Sequence, residues 1–359
     1  LTLIKIGNRS DLIKHQAKSY LFDMHGLGSA KPTRKLLNAM RTVNPDIIHL
    51  HNIHGYYINY PVLFNFIARE NVPLIWTFHD CWPITGHCCY FSDIDCIKWK
   101  SECHNCPKKH SYPSSLLFDR SRANFRKKKK AFNSPGNLTI VPVSTWLENI
   151  IQESFLAKYP IRVISNGIDL DLFKPADDTY PIKRKIGVYG RHLLLAVASK
   201  WDRRKNLDDY LRLRAVLPQD YVIVLVGLDL NTIEKLPPGV VGLERTESVE
   251  ELKDIYSAAD IVLNLSTLES FGLTTVEGFA CGTPGIVYNA TASPELISPE
   301  TGFIVETGNI DQLADAVKKM IYRGKEHYAK ACRERAELLY DKEKRFNDYL
   351  NLYTEILSR

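Results

Sequence analysis

The chain of 359 residues lacks any uninterrupted apolar run of the ~18 residues that a transmembrane helix needs, and no apolar export signal opens it. It also lacks the repeated cysteine–histidine spacing of zinc fingers and any recognised nucleic-acid-binding motif. Its apolar fraction of 45% and charged fraction of 25% are those of an ordinary globular protein. We therefore predict a cytoplasmic protein of two folded domains, because a chain of this length exceeds one ordinary core.

Acidic residues are scarce in the first half of the chain, so the net positive charge is confined to that half. Residues 1–170 hold 22 Lys and Arg against 12 Asp and Glu, a net charge of +10, whereas residues 171–359 carry a net charge of −4. The densest basic segment is Arg120–Lys130. A solvated helix face explains such a segment, and so does contact with an anionic membrane at the inner face of the plasma membrane.

Cysteine is nearly absent outside one segment, since six of the eight cysteines lie within residues 81–106. Disulfide frameworks suit small secreted domains, so clustered thiols in a long chain without an export signal fit a metal site or reduced thiols better. Four of them have the spacing C-x7-C-x6-C-x2-C, which ends in the short knuckle typical of tetrahedral zinc sites. We therefore hypothesise a structural zinc site; two disulfides or four free thiols are the alternatives. The proposed ligands are Cys88, Cys96, Cys103 and Cys106.

Short apolar runs rich in β-branched residues alternate with amphipathic segments along most of the chain. This alternation predicts an α/β fold of right-handed strand–helix–strand units with parallel strands. The predicted strands are Ile47–Leu50, Leu74–Phe78, Leu138–Val143, Ile161–Ile164, Leu193–Ala198, Tyr221–Val226, Ile261–Leu265 and Pro284–Tyr288. The predicted helices are Tyr57–Glu70, Trp146–Phe155, Asn206–Val216, Val249–Ala258 and Ile310–Ile321, with one long or two shorter helices in the last ~35 residues.

Two segments interrupt the alternation of predicted strands and helices. Residues 81–118, rich in Cys, His, Pro, Trp and Tyr, predict a long ordered loop, and loops of this length in compact domains are usually functional. Residues 167–185 are typical of a linker. We therefore expect an N-terminal domain at 1–170, a C-terminal domain at 171–340, and a helix at 341–359 that packs back on the N-terminal domain.

The segment most informative about function runs from Leu265 to Pro284. A buried strand ends in a polar loop, and a helix is predicted from near Gly272 to Gly282, which suits a left-handed helix cap. Ligands bind at the carboxyl ends of strands in open α/β sheets. The N–H groups of a first helical turn form an anion site, and a glycine lets a pyrophosphate approach the backbone. We therefore predict a diphosphate site at Gly272.

Two glutamates, Glu269 and Glu277, flank this predicted anion site. A carboxylate repels phosphate but accepts hydrogen bonds from paired hydroxyl groups. The two side chains are therefore placed to hold a sugar and a ribose on either side of a diphosphate. A helix that carries two incidental glutamates is the alternative.

Residues 269–284, which read E-S-F-G-L-x-x-x-E-x-x-A-x-G-T-P, resemble the signature of the family 4 retaining glycosyltransferases. The resemblance implies the GT-B fold, in which two Rossmann-like doubly wound domains face a central cleft. It also implies a nucleotide-diphosphate sugar as donor, no cofactor required for catalysis, and retention of anomeric configuration. In the family, the first Glu contacts the donor sugar, the F-G-L backbone the diphosphate and sugar, and the second Glu the ribose. These roles fall on Glu269, Phe271, Gly272, Leu273 and Glu277, with Ser270 beside them.

A second segment, residues 195–207, resembles the family's strand–loop–helix unit that carries an arginine and a lysine on the donor phosphates. Lys205 stands at the lysine position, and a lysine at such a turn acts as a point charge on a diphosphate. Lys200 replaces the arginine, and Arg204 is expected to substitute for it. Ser199 and Gly227, which follow two strands, complete the expected donor site. An exposed basic turn is the alternative.

Polar residues also follow the strands predicted in the N-terminal half. His79 matches the histidine that family members direct at the donor sugar, so the resemblance implies a catalytic set of His79, Glu269 and Lys205. It further implies that the donor phosphate accepts the acceptor's proton on the same face while Lys205 and the helix terminus hold the departing diphosphate. The expected acceptor-side residues are His51, Asn52, His54, Ser144 and Asn166. A structural role is the alternative for each single histidine.

The resemblance is greatest to bacterial polysaccharide enzymes that carry His-Asp-Cys-Trp before a Cys-rich loop, as Thr77–Cys89 does here. It implies a glycan or lipid-linked acceptor in cell-surface polysaccharide synthesis. Another GT-B enzyme, an epimerase or a phosphorylase, is the alternative, and a zinc-stabilised nucleic-acid-binding module is a third reading. A metal-dependent GT-A enzyme is rejected, because neither Asp93-Ile-Asp95 nor Asp169-Leu-Asp171 follows a nucleotide-binding strand in the required place.

The start of the chain also departs from the family pattern. The first residue is leucine, and the spacing from Leu3–Gly7 to the strand at Ile47 is short for a first strand and its Gly-rich turn. We expect an N-terminal segment of the natural protein to precede Leu1, and with it part of the acceptor site. A protein that begins at Leu1 is therefore expected to bind nucleotide but to transfer sugar poorly.

Overall fold

A computed structural model describes residues 3–358. The chain divides into two compact units, one formed by Leu1–Ile164 with Tyr349–Arg359 and the other by Ser165–Asp348. Both units are built from parallel strands joined by helices.

The first unit has a three-stranded parallel sheet in the order β1-β2-β3. Its elements are α1 (Arg9–Phe22), α2 (Ala30–Val43), β1 (Ile48–Leu50), α3 (Tyr60–Glu70), β2 (Leu74–Phe78), α4 (Ser121–Phe132), β3 (Leu138–Pro142) and α5 (Thr145–Gln152). All five residues of β2 are buried, as expected for the central strand of a sheet covered on both faces. Residues 3–7 form no strand.

Residues 81–118 lie between β2 and α4 and contain only short turns of 3-10 helix, at Trp82–Ile84, Ser92–Ile94 and Lys98–Lys100. The prediction of a long ordered loop is confirmed for this segment. Aromatic packing holds part of it, since the rings of Phe91 and Trp99 stack 4.9 Å apart.

The second unit has a six-stranded parallel sheet in the order β6-β5-β4-β7-β8-β9. Its elements are α6 (Tyr180–Lys185), β4 (His192–Val197), α7 (Leu207–Val216), β5 (Tyr221–Val226), α8 (Leu230–Ile233), β6 (Val240–Leu243), α9 (Val249–Ala258), β7 (Ile261–Asn264), α10 (Leu273–Ala280), β8 (Gly285–Tyr288), β9 (Gly302–Val305), α11 (Ile310–Arg323) and α12 (Glu326–Leu339). This is the doubly wound order, in which the chain reverses direction across the sheet between β4 and β7. Ligands bind at that point, outside the carboxyl ends of the strands.

A last helix, α13 (Lys342–Leu357), completes the chain. From Tyr349 onward its residues belong to the first unit, where Leu352 packs in one core cluster with Ile75, Val141 and Ile164. Among the helices of residues 3–358, none combines the length and the apolar character that crossing a bilayer requires.

Most of the predicted elements are confirmed to within a few residues, and β2, β5 and α9 have the predicted bounds. The strand predicted at Ile161–Ile164 is wrong, because only an isolated bridge from Ile161 to Ile140 forms there. The strands β6 and β9 were missed. Both lie at an edge of the sheet and each contains a glycine, so neither has the long apolar run of a central strand.

Candidate functional site

The start of α10 is organised around Gly272. Its φ of +102° lies in the left-handed region, and a Cβ there would come within 3.0 Å of the Leu296 side chain, so the position requires glycine. No side chain caps the first turn of α10. The N–H of Thr275 donates to the carbonyl oxygen of Gly272 at 3.1 Å, and the N–H groups before it have no capping side chain. Gly282 has the left-handed φ of +71° expected after the helix.

Lys205 and Glu269 form an ion pair beside this turn. Their side chains are only 20% and 16% exposed, so the pair is shielded from solvent on most sides. The N–H of Thr267 donates to the carbonyl oxygen of Arg204 at 3.0 Å, which ties the loop after β7 to the loop after β4. The doubly wound order thus brings together two charged residues that are 64 positions apart in the chain.

The backbone of Glu269 is held separately from its carboxylate. Its N–H donates to Oγ1 of Thr291 at 2.8 Å, and its carbonyl oxygen accepts from the N–H of Ala292 at 3.2 Å. Thr291 has a positive φ of 49°, which is unusual for a β-branched residue. Sequence reasoning missed Thr291, and the signal that could have found it is its place just after β8.

Arg204 is engaged within its own loop. Its guanidinium donates to both carboxylate oxygens of Asp202, at 2.8–3.1 Å. Burial alone would raise the pKa of Asp202, but the bonds from Arg204 outweigh it and hold that pKa below its usual value. Arg204 therefore neutralises Asp202, whereas Lys200 lies exposed at the end of the same strand.

Glu277 lies on α10, largely buried against the sheet. The hydroxyl of Tyr256 donates to its Oε2 at 2.6 Å. Burial raises the pKa of Glu277, and the bond from Tyr256 opposes this rise. The helix packs tightly here, because a Cβ on Gly278 would lie 2.6 Å from Cγ2 of Val262 in β7. Tyr256, in α9, is a second residue that sequence reasoning did not identify.

Gly227 follows β5 next to the end of β4. Its φ is +96°, and a Cβ there would lie 1.6 Å from the carbonyl oxygen of Ala198, so no other residue fits. The indole N–H of Trp201 donates to the carbonyl oxygen of Val226 at 2.9 Å. The chain therefore passes closely over the strand ends, and Ser199 lies exposed beside them.

In the first unit, histidines follow the strands. His51 and His79 contact each other through Nδ1 and Nε2 at 3.1 Å, and burial lowers the pKa of both rings. His49 is bonded to Thr77 at 2.8 Å and to Tyr353 at 2.6 Å, which is a structural role. Burial, with His51 and His79 nearby, lowers the pKa of His49 to about 4, so these rings are neutral at neutral pH.

His54 forms a second pair in the first unit. Its Nε2 lies 2.9 Å from Oδ2 of Asp80, whose other oxygen accepts from the N–H of Trp82 at 2.8 Å. Burial would raise the pKa of Asp80, but the bonds from His54 and Trp82 hold it below its usual value. Among the residues that the structure describes, His54, Asp80 and Cys89 are the one set of three metal-ligating side chains whose ligand atoms all lie within 4.8 Å of one another.

The remaining acceptor-side residues are dispersed. The Oγ of Ser144 accepts from the N–H of Leu147 at 3.3 Å, so this serine caps α5. Asn52 is exposed in the first unit. Asn166 lies in the second unit, next to Gly167, whose backbone touches the start of α13.

The basic segment Arg120–Lys130 does not present all its charges to solvent, which corrects the expectation of a single basic patch. Lys128 is 1% exposed, and its ammonium bonds to the Trp82 carbonyl oxygen at 2.6 Å. Arg122 and Arg126 pair with Glu102. Lys128 lies on the face of α4 that also buries Phe125 and Phe132, which is why helical spacing turns it inward.

The four cysteines of the predicted zinc site all line one small cavity in the loop 81–118. Their thiols are free. Among the residues that the structure describes, no three of these sulfur atoms all lie within the 4.8 Å that separates the ligand atoms of His54, Asp80 and Cys89.

Two family models match the chain. The model described as Glycosyltransferase Family 4 matches residues 6–172, and the model described as Glycosyl transferases group 1 matches residues 179–338. The matches leave only short stretches at the two ends and between the two regions.

Named relatives agree with these matches. The putative colanic acid biosynthesis glycosyl transferase WcaC of Escherichia coli (strain K12) is 24% identical over 331 residues, which cover 88% of this chain and 78% of that protein. The D-inositol 3-phosphate glycosyltransferase of Corynebacterium jeikeium (strain K411) is 29% identical, over 52% of this chain. This chain spans 49% of the length of that second relative.

Solved structures share the fold. Sucrose-phosphate synthase from Thermosynechococcus elongatus superposes with a TM-score of 0.69 at 19% identity, covering 91% of this chain and 79% of its own. Anabaena HepE in complex with UDP superposes with a TM-score of 0.68 at 18% identity, covering 92% of this chain and 84% of its own. Together with the family matches, the two parallel-sheet units and the geometry around Gly272, these likenesses identify the chain as a GT-B-fold glycosyltransferase with a family 4 region followed by a group 1 region.

Proposed function

We propose that this protein is a retaining glycosyltransferase of cell-surface polysaccharide synthesis. It moves a sugar from a nucleotide-diphosphate donor to a glycan or lipid-linked acceptor. The observation that carries the proposal is the Lys205–Glu269 ion pair beside the uncapped first turn of α10. The similarity to WcaC, a putative colanic acid enzyme, supports the polysaccharide assignment.

The donor occupies the carboxyl end of the second unit's sheet. Its diphosphate binds at the first turn of α10 and at Lys205, because outward N–H groups and a cation favour an anion there. The diphosphate replaces Glu269 as the partner of Lys205, which frees the Glu269 carboxylate to accept bonds from sugar hydroxyls. Glu277 accepts from the ribose hydroxyls, since the Tyr256 bond occupies only one of its two oxygens.

Transfer breaks the bond between the sugar's anomeric carbon and the diphosphate oxygen. The acceptor oxygen forms its bond on the same face, and its proton passes to a donor phosphate oxygen, so the nucleoside diphosphate leaves. Lys205 and the N–H groups of α10 stabilise the negative charge that builds on the leaving diphosphate. No side-chain nucleophile takes part in this account.

The second cation on the diphosphate is Lys200 rather than Arg204. The Arg204 guanidinium is bonded to Asp202, whereas Lys200 is exposed at the end of β4. Breaking the Arg204–Asp202 contact would leave the Asp202 carboxylate without its charged partner, so Arg204 positions the loop. In the first unit, Asn52 and His54 are the candidates for contacts with the acceptor, and His79 is the histidine that the family resemblance implies for the donor sugar.

Five cations on α4 remain exposed, of which Arg122 and Arg126 pair with Glu102. The other three support contact with anionic lipid: Lys127, Lys129 and Lys130. The protein would then bind a lipid-linked acceptor at the membrane surface. Lys128 takes no part in that contact, because it is buried.

A nucleotide-sugar screen tests the proposal. Calorimetry with UDP, GDP and ADP and their glucose, galactose and mannose conjugates identifies the base and sugar. UDP-glucose comes first, because a structure of HepE, which shares the fold, holds it. Proton NMR of the product's anomeric signal decides retention. Inversion of configuration, or binding of no nucleotide, would contradict the proposal.

A further inference from the structure

Four thiols of the loop 81–118 face the same space. Cys88, Cys96, Cys103 and Cys106 line a cavity of about 20 Å³. A volume of ~10–15 Å³ already admits one water molecule, so this space suits a single atom and excludes an organic ligand. The cavity is therefore of the size that a bound ion needs.

The backbone around the cavity is shaped to bring Cys103 inward. A Cβ on Gly86 would lie 2.8 Å from Cβ of Cys103 and 2.1 Å from the carbonyl oxygen of Ser121, so only glycine allows this approach. Cys103 and Cys106 belong to one C-x2-C turn, and Cys88 and Cys106 share a hydrogen bond. Cys88 and Cys106 are thus already in contact, and Cys103 lies one short turn away from Cys106.

Two lysines lie close to the thiols, one of them buried. Lys128 is 1% exposed, and the partners it bonds are neutral: the Trp82 carbonyl oxygen and the Trp82 ring, 3.6 Å below its ammonium. The ammonium of Lys98, another residue of the cavity wall, bonds to two backbone carbonyl oxygens at 3.1 and 3.2 Å. A buried cation is costly without nearby negative charge. Asp80 supplies part of that charge, and thiolates in the cavity would add to it.

A neighbouring histidine, His87, also favours thiolate sulfur in the cavity. His87 is 2% exposed and lines the cavity, with Nδ1 bonded to Oδ1 of Asp23 at 2.6 Å. Its Nε2 is buried and has no hydrogen-bond partner. An Nε2–H held in this orientation by Asp23 donates well to a thiolate sulfur, as residues around metal-bound thiolates do.

We propose that Cys88, Cys96, Cys103 and Cys106 bind one zinc ion that holds the loop 81–118 together. Zn²⁺ forms four Zn–S bonds of ~2.3 Å as the four S–H protons are released to solvent, which brings the sulfurs to about 3.8 Å from one another. The complex of one Zn²⁺ and four thiolates carries two negative charges, which Lys128, Lys98 and His87 compensate. All four zinc positions are filled by protein, so the ion is structural and takes no part in sugar transfer.

Elemental analysis of full-length chain purified in reducing buffer without chelator tests the site first. We expect about one zinc per chain, as a closed tetrathiolate site binds tightly. Cobalt substitution should give the charge-transfer and d–d absorption of tetrahedral thiolate coordination. A zinc content near zero overturns the proposal, and so does a mass four hydrogens lower under non-reducing conditions, which would identify two disulfides.

Substitution of single cysteines shows whether zinc binding depends on the four proposed ligands or on any buried thiol. Cys103→Ser and Cys106→Ser should each reduce bound zinc to near zero, whereas Cys332→Ser, a buried thiol of the second unit, should leave it unchanged. Where a variant fails to fold, the cobalt spectrum of the unsubstituted protein decides instead. Zinc that stays at one per chain in Cys103→Ser contradicts the proposal.

Discussion

The two units place different chemistry at the carboxyl ends of their strands. In the second unit the charged pair Lys205 and Glu269 lies beside an uncapped helix turn. In the first unit the neutral rings of His51 and His79 contact each other. A cation whose partner is a single carboxylate can exchange it for a phosphate, whereas neutral imidazoles suit hydroxyl groups. The difference supports the proposal that the unit with the six-stranded sheet binds the charged part of the donor.

Removing a charged side chain of the Lys205–Glu269 pair should have the largest effect on activity. Lys205→Ala should lower kcat roughly 10²–10³-fold, the loss that follows removal of one group that stabilises transition-state charge. Glu269→Ala should likewise reduce turnover more than nucleotide affinity. Steady-state kinetics with the donor identified by screening measure both.

The matched control is Lys235→Ala, an exposed lysine of the same unit, which should leave kcat unchanged. A Lys205→Ala enzyme with the unsubstituted kcat would mean that the ion pair is structural only.

Glu277 should give the next largest effect. Glu277→Ala should weaken nucleoside diphosphate binding by ~1.5–3 kcal/mol, because a hydrogen bond from ribose to a charged acceptor is lost. Calorimetry with UDP and GDP measures the change. Tyr256→Phe, which removes only the hydroxyl that donates to Glu277, should cost less. Unchanged affinity in Glu277→Ala would remove this residue from the donor site.

The contribution of the exposed α4 lysines to membrane binding can be tested by substituting two of them together. Lys129→Ala and Lys130→Ala together should weaken binding to anionic vesicles by ~1 kcal/mol per residue, and added salt should weaken it further. Lys318→Ala with Lys319→Ala, two adjacent exposed lysines of the second unit, form the control. Vesicle sedimentation is the measurement, and equal binding to neutral vesicles would contradict a role of charge.

The smallest expected effect is a dependence of the free energy of unfolding on pH. It arises from histidines that are neutral in the folded protein. The folded pKa of His49 is about 4 against 6.5 for an unperturbed ring, so the unfolded chain binds a proton first as pH falls. The free energy of unfolding of the first unit should be constant above pH ~6.5 and decrease toward pH ~4. The effect is reduced because the ring is partly solvated.

Urea denaturation followed by tryptophan fluorescence, at several pH values, measures this slope. His49→Gln should make the slope shallower but not remove it, because burial also lowers the pKa of His15, in the same unit, to about 4. His327→Gln, a change at an exposed histidine of the second unit, should leave the slope unchanged. An identical slope in His49→Gln would assign the pH dependence to other groups.

Much of the second unit was predictable because its signals are local. The apolar runs of β4, β5 and β7, and the glycines that bound α10, each lie within a few residues of what they control. The edge strands β6 and β9 were not predictable in the same way. Their pairing partners, rather than their own composition, keep them extended.

The partners of the candidate site residues were less accessible to sequence reasoning. Tyr256 and Thr291 contact Glu277 and Glu269 across distances of about 20 positions in the chain, and neither belongs to a motif. Arg204 shows a different limit, because its partner Asp202 is only two positions away but the pairing depends on the conformation of the loop.

The sequence by itself determined the α/β class, the glycosyltransferase resemblance and the glycine turn that begins α10 at Gly272, because spacing and glycine requirements are local properties of the backbone. Only the tertiary structure decided which charges are available. It turned Lys128 into the core, paired Lys205 with Glu269, and gathered four thiols around one cavity. Burial and pairing depend on contacts between residues far apart in the chain, which no local pattern contains.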